Sequence, residues 1–149
     1  MVDVEASLEA MGERGVAIVE TWEREQTVES EAELKELLAA QMPFHFHGEP
    51  PPGYGDETVG SPEVLRHFAR IGYGDFDYRP RLQNVRRPTL VIVGEHDRTT
   101  TPRAARVLHE GIDGSELAVV PNSGHMSFVE DQGRYLDAVR SFLRAASAA

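Results

Sequence analysis

The run Thr89–Val93 in "PTLVIVGEHD" narrows the choice of fold more than any other stretch of the chain. It is short, β-branched and almost continuously apolar, and it stops at Gly94. A strand without polar alternation is expected to be buried on both faces, as in a parallel sheet. The segments C-terminal to it support that reading. "TPRAARVLHEG" is predicted to be a helix, with Thr101 as cap, Pro102 at the first helical position and Gly111 as the stop. "ELAVVP" is a second apolar strand, and a last helix carries the stripe Tyr135, Leu136, Val139, Phe142 and Leu143. Strand, helix, strand, helix is a βαβα unit with an expected right-handed crossover. The fold class is therefore α/β. The tail "RAASAA" is expected to fray.

The chain changes character near residue 80. Before it there are helices and polar loops and no convincing strand. Val4, Leu8, Met11, Ile18, Val19 and Trp22 follow helical spacing, weakened by Gly12 and Gly15. "SEAELKELLAAQM" opens on the capping box Ser30 and Glu33, with Leu34, Leu37 and Leu38 as its apolar stripe. "HFHGEPPPGYGDETVG" reads as a loop broken by prolines and glycines. "SPEVLRHFARI" has Ser61 as cap, Pro62 at the first position, and Val64, Leu65, Phe68 and Ile71 as its expected buried face.

Composition excludes several kinds of function. A net charge of −10 opposes binding to nucleic acid or to an anionic membrane surface. With no cysteine there is no disulfide framework, thiolate nucleophile or thiolate metal site, which fits a cytoplasmic setting. No apolar run approaches the roughly 20 residues of a membrane span. The acidic, helix-patterned "MVDVEASLEAMGERG" does not read as a signal peptide.

Chemistry is expected beyond the carboxyl ends of the strands, where open parallel sheets bind their ligands. Asp97 follows the first strand and His125, in "VVPNSGHMSFVED", follows the second. Neighbouring parallel strands would place both loops on one rim. A carboxylate there can hold an imidazole in one tautomer, and the imidazole can then act as base and acid.

The segments around these two residues carry a family resemblance. "RPTLVIVGEHDRTTTP" resembles the acid strand and loop of an α/β-hydrolase, and "GSELAVVPNSGHMSFVED" resembles its histidine strand and loop. The order acid then histidine is that of the fold, in which the serine comes first. "GYGDFDYRPRL" and "SGHMSFVED" are most similar to proline iminopeptidases and their aminopeptidase relatives. The resemblance implies a partial α/β-hydrolase fold. Residues 1–78 would be a helical cap or lid region, and residues 79–149 the C-terminal βαβα part of the core. It also implies Asp97 and His125 as the catalytic acid and histidine, a small peptide or ester substrate, and no metal or organic cofactor. The specific match runs from about Arg79 to Leu143.

The departure from the family is equally informative. A nucleophile elbow needs Gly-x-Ser-x-Gly, and no such pattern occurs in the chain. Ser123 lies near the histidine but within its own loop, and Ser7, Ser30 and Ser61 read as helix-start or surface residues. "HGEPPPGYG" is superficially similar to an oxyanion loop but lacks the preceding strand. Plainer readings stand beside the functional ones. Asp97 can simply cap its turn, and His125 can be a structural histidine. Their matching rim positions within the family pattern favour the pair. His45 and His47 form a His-x-His pair without a third metal ligand at suitable spacing, which favours a cap-loop role. His67, His96 and His109 receive no chemistry. The glutamates of "ETWEREQTVESEAELKELL" read as a solvated helix face, and no particular one matches the cap carboxylates that aminopeptidases use to hold a substrate amine.

Two parallel strands rarely make a stable sheet alone, and an exposed strand edge invites pairing. The expected partner is an N-terminal hydrolase half, a second copy of the chain, or a continuation of it. The rival expectation is a non-catalytic hydrolase remnant acting through self-association or as an interaction module.

Overall fold

A computed structural model describes residues 2–56, 59–71 and 77–148. Two compact units emerge, one of residues 1–44 and 49–76, the other of residues 45–48 and 77–149. The first unit is helical. The stretch whose helical spacing Gly12 and Gly15 weaken forms two helices, α1 (Val2–Ala10) and α2 (Glu13–Arg24). The break falls at Gly12, whose φ of 59° leaves the right-handed helical region. Helix α3 (Glu31–His45) starts as its capping box requires, with Glu33 N donating to Ser30 Oγ at 3.2 Å. The reciprocal bond reaches one residue further back, from Glu29 N to Glu33 Oε2 at 2.8 Å. Ile18, Val28, Leu34, Leu37 and Phe44 form the apolar interior of this unit.

Two expectations fail here. Glu25 is not solvated: it is buried and accepts from Gln41 Nε2 at 2.7 Å, because α3 turns a polar side chain toward it. Helix α4 (Pro62–Arg70) begins at its Ser61 cap, with Val64 N donating to Ser61 Oγ at 3.3 Å, but its apolar face is not buried. Val64, Phe68 and Ile71 are 54%, 44% and 51% exposed. Among the described residues no element packs broadly against α4, and Arg66 ties it to the Val28 carbonyl at 2.6 Å.

The second unit holds the sheet. Strands β1 (Leu90–Gly94) and β2 (Glu116–Val120) pair in parallel, with Leu90 opposite Glu116 and Gly94 opposite Val120. Helix α5 (Pro102–Gly111) makes the crossover, capped by Thr101 as expected. It buries Ala105 against the β1 core residues Val91 and Val93. A 3-10 turn at Arg79–Asn84 packs on α5. Helix α7 (Gln132–Ala148) lies on both strands and is preceded by a short helix, α6 (Ser127–Glu130), which the sequence pattern does not signal. β2 is not covered on both faces: Glu116 and Val119 are exposed, the latter by 43%. Only two strands are present among the described residues, so the sheet offers β2 little cover. Leu143, expected in the buried stripe of α7, is also exposed. No described helix is long and apolar enough to cross a membrane.

Candidate active site

The parallel register brings the loops after β1 and β2 together. The ladder continues past the strands, with Glu95 N donating to Val120 O at 2.9 Å and His96 N to Ser123 O at 2.8 Å. Gly94 permits this approach. A Cβ there would lie 2.1 Å from Gly124 O and 2.4 Å from Ser123 O, both backbone atoms. In the second loop Asn122 takes the left-handed conformation at φ 51°, which asparagine tolerates better than most residues. Its N–H donates to Glu95 Oε2 at 3.1 Å.

Asp97 and His125 meet on this rim, as expected. The Asp97 side chain is 4% exposed and accepts four hydrogen bonds. Oδ1 takes the backbone N–H groups of Thr99 and Thr100, each at 2.8 Å. Oδ2 takes the Thr100 hydroxyl at 2.9 Å and His125 Nδ1 at 3.0 Å. Asp97 therefore caps its turn and holds the histidine at once, and the two readings of it are not exclusive. A carboxylate only accepts, so the nitrogen facing it carries the proton, and Nε2 is left as the basic atom of a neutral ring. Thr100 Oγ1 lies 3.2 Å from the same Nδ1. The His125 side chain is one-third exposed.

Electrostatics follow from this geometry. Burial alone would raise the Asp97 carboxyl. The hydrogen bond from His125, those from the Thr100 backbone and hydroxyl, and the His125 charge outweigh burial and hold Asp97 below its usual range. The hydrogen bond to Asp97 raises His125 above an ordinary histidine, against the opposing effect of burial, and the Asp97 charge adds to it. The pair favours a protonated imidazole beside an ionised carboxylate, the state a general base reaches after taking a proton.

The segment His45–Gly48 packs in this unit, beside the histidine loop, rather than in a cap loop. His45 Nδ1 is 3.0 Å from Thr99 Oγ1, and the rings of His45 and His125 are 5.5 Å apart. His47 stacks instead on His96, centroid to centroid 3.9 Å at 12°. The two rings thus have different neighbours and do not act as a pair. Among the described residues no group of three or more histidines and carboxylates is arranged to hold a metal ion. The amides of His47 and Gly48 do not open toward a substrate oxygen, since both donate to Glu130 Oε1, at 2.8 and 3.0 Å. Ser123 is fully buried and its hydroxyl donates to Pro121 O at 3.2 Å, so its nearness to the histidine in sequence does not make it a partner. Thr99, Thr100 and Glu130 are not singled out by the sequence, which gives His45 only as half of a His-x-His pair. The run of threonines after Asp97 is a turn signal that marks the first two. Nothing local marks Glu130.

A parallel β-α-β unit with a buried acid and a paired histidine on adjacent carboxyl-end loops is the arrangement of a hydrolase core. The family is shown by sequence: a family described as "alpha/beta hydrolase fold" matches residues 58–132, half of the chain, and the chain belongs to it. It is 35% identical over 69 residues to a proline iminopeptidase of Saccharolobus solfataricus, covering 46% of this chain and 22% of that protein. It is 30% identical over 89 residues to a pimeloyl-[acyl-carrier protein] methyl ester esterase of Nitrosospira multiformis, covering 60% and 34%. The fold is similar to that of an esterase from Exiguobacterium antarcticum, with a TM-score of 0.70 at 23% identity over 85% of this chain and 47% of that one. The chain thus spans less than half the length of each of these proteins. Part of "GYGDFDYRPRL", residues 72–76, lies outside the described residues.

Proposed function

We propose that this chain supplies the acid and histidine of a serine hydrolase acting on an amide or ester bond, with an N-terminal peptide bond as the specific target. The observation that carries the reading is the 3.0 Å bond from His125 Nδ1 to a buried Asp97 whose other acceptor positions are filled. In the proposed reaction Nε2 of His125 takes the proton of a serine hydroxyl as it attacks the carbonyl. Asp97 stabilises the imidazolium, and Nε2 then protonates the leaving amine or alkoxide. The nucleophile and the oxyanion donors come from an N-terminal hydrolase half, which also extends the two-stranded sheet. The helical first unit would serve as the cap. The relatives named proline iminopeptidase support the peptidase over the esterase version. The cysteine-free composition supports a cytoplasmic setting.

A fluorophosphonate probe tests the reading. It should label a serine on a polypeptide that co-purifies with the wild-type chain, and that labelling should vanish with His125→Ala. A second reading, a non-catalytic remnant that self-associates, is favoured by the buried, backbone-bonded Ser123 hydroxyl and the exposed Val119 on β2. It would be upheld by a self-associated chain, no labelled partner, and no hydrolysis of aminoacyl anilides or simple esters.

A further inference from the structure

Glu130 ends the short helix after the histidine loop, a place where an acidic side chain ordinarily faces water. Here it is half-buried, and its carboxylate accepts three backbone N–H groups, two from a segment more than 80 residues away and one from the adjoining histidine loop. Oε1 takes His47 N at 2.8 Å and Gly48 N at 3.0 Å, and Oε2 takes Gly124 N at 2.6 Å. Gly124 directly precedes His125. On the other side of the histidine, Met126 N donates to His45 O at 3.3 Å. His125 is thus bracketed: the residue before it is fixed to Glu130, and the residue after it to the segment that Glu130 also holds. The packing leaves no slack. A Cβ on Gly124 would come within 2.7 Å of His47 N and 2.8 Å of His45 O. Hydrogen bonds to a carboxylate are roughly twice as strong as neutral ones, so this junction is stiff for its size.

We propose that Glu130 is a positioning residue: its carboxylate locks the His45–Gly48 segment to the histidine loop and thereby seats the imidazole on Asp97. The proposal rests on the reading of Asp97 and His125 as a working pair. Glu130 takes no part in proton transfer and acts through the backbone on either side of His125.

Glu130→Gln preserves size but turns one of the two acceptors into a donor aimed at an N–H. The test is an NMR titration of the full chain, following the His125 ring and its Nδ1–H signal, with amide exchange read at His47, Gly48 and Gly124. In E130Q the His125 titration should move down toward that of an ordinary histidine. The Nδ1–H signal should be lost, and the three amides should exchange faster together. A folded E130Q whose His125 titration and Nδ1–H signal coincide with wild type would overturn the proposal. Should E130Q fail to fold, the wild-type chain decides. A Gly124 amide that exchanges at the rate of an unstructured peptide overturns the proposal, and slowed exchange shared by all three amides upholds it. An ordinary histidine titration in the wild-type chain would instead sink the Asp97–His125 reading itself.

Discussion

Gly94→Ala offers a sharp test of how the site is assembled. The added methyl carbon would sit 2.1 Å from Gly124 O, 2.4 Å from Ser123 O and 2.8 Å from Ser123 C, all of them backbone atoms. Ordinary contact begins near 3.4 Å, so the histidine loop must retreat by more than 1 Å. Overpacking of this kind costs about 1–3 kcal/mol. The hydrogen bonds most exposed to the movement are Glu95 N to Val120 O and His96 N to Ser123 O, each contributing about 1 kcal/mol. A loss near 2 kcal/mol is therefore expected, with the retreat also pulling His125 from Asp97. Because the chain has two compact units, native-state hydrogen exchange at the strand amides is a better gauge than a global melt. Protection there should fall about 30-fold, at about 1.4 kcal/mol per tenfold. The His125 titration should drop toward that of an ordinary histidine in the same sample. Gly48→Ala is the matched control, since a Cβ at that position meets nothing within 4 Å. If Gly94→Ala and Gly48→Ala showed equal protection and identical His125 titrations, the close approach of the two loops would not be what seats the imidazole.

Three further outcomes are expected. The raised His125 contributes stability that is complete below its unfolded value of 6.5 and lost as pH climbs through its folded value, whereas the lowered Asp97 contributes stability that is complete above 3.8 and lost as pH falls through its folded value. Urea unfolding of the second unit should therefore show the pair's largest contribution between pH 3.8 and 6.5, and Asp97→Asn should flatten that maximum. Leu37→Ala, at a fully buried position, should cost about 2–5 kcal/mol, read from the fluorescence of Trp22, the sole tryptophan, which packs edge-on to Phe44 in the same unit. Ser123→Ala should remove one hydrogen bond worth about 1 kcal/mol and leave probe labelling of any co-purifying partner unchanged; loss of labelling would show that its hydroxyl does chemistry.

The legible features were those written locally. Strand β1, the Thr101–Pro102 start of α5 and the Ser61 cap each declare themselves within a few residues, because capping and β-branched runs are short-range effects. Asp97 and His125 were legible through a general rule, that ligands gather beyond the carboxyl ends of parallel strands. Periodicity misled at α4, where it identified an apolar face but could not say whether anything covers Val64, Phe68 and Ile71. The same holds for Leu143 on α7. Glu25 looked like one of many surface glutamates, and only the packing of Gln41 opposite it reveals otherwise. The His-x-His spacing drew attention to His45 without its neighbours, and Glu130 had no local signal, since the partners of both include residues more than 50 positions away.

The bond from His47 to Glu130 joins residues 83 positions apart in the chain. A ribosome adding roughly 5–20 residues per second needs about 4–17 s to travel that far. Throughout that interval the His45–Gly48 segment exists without the carboxylate and the loop it belongs to. Of the parts described, the histidine loop is the last to be synthesised, so the pair at Asp97 cannot be held by Glu130 until residue 130 has been made.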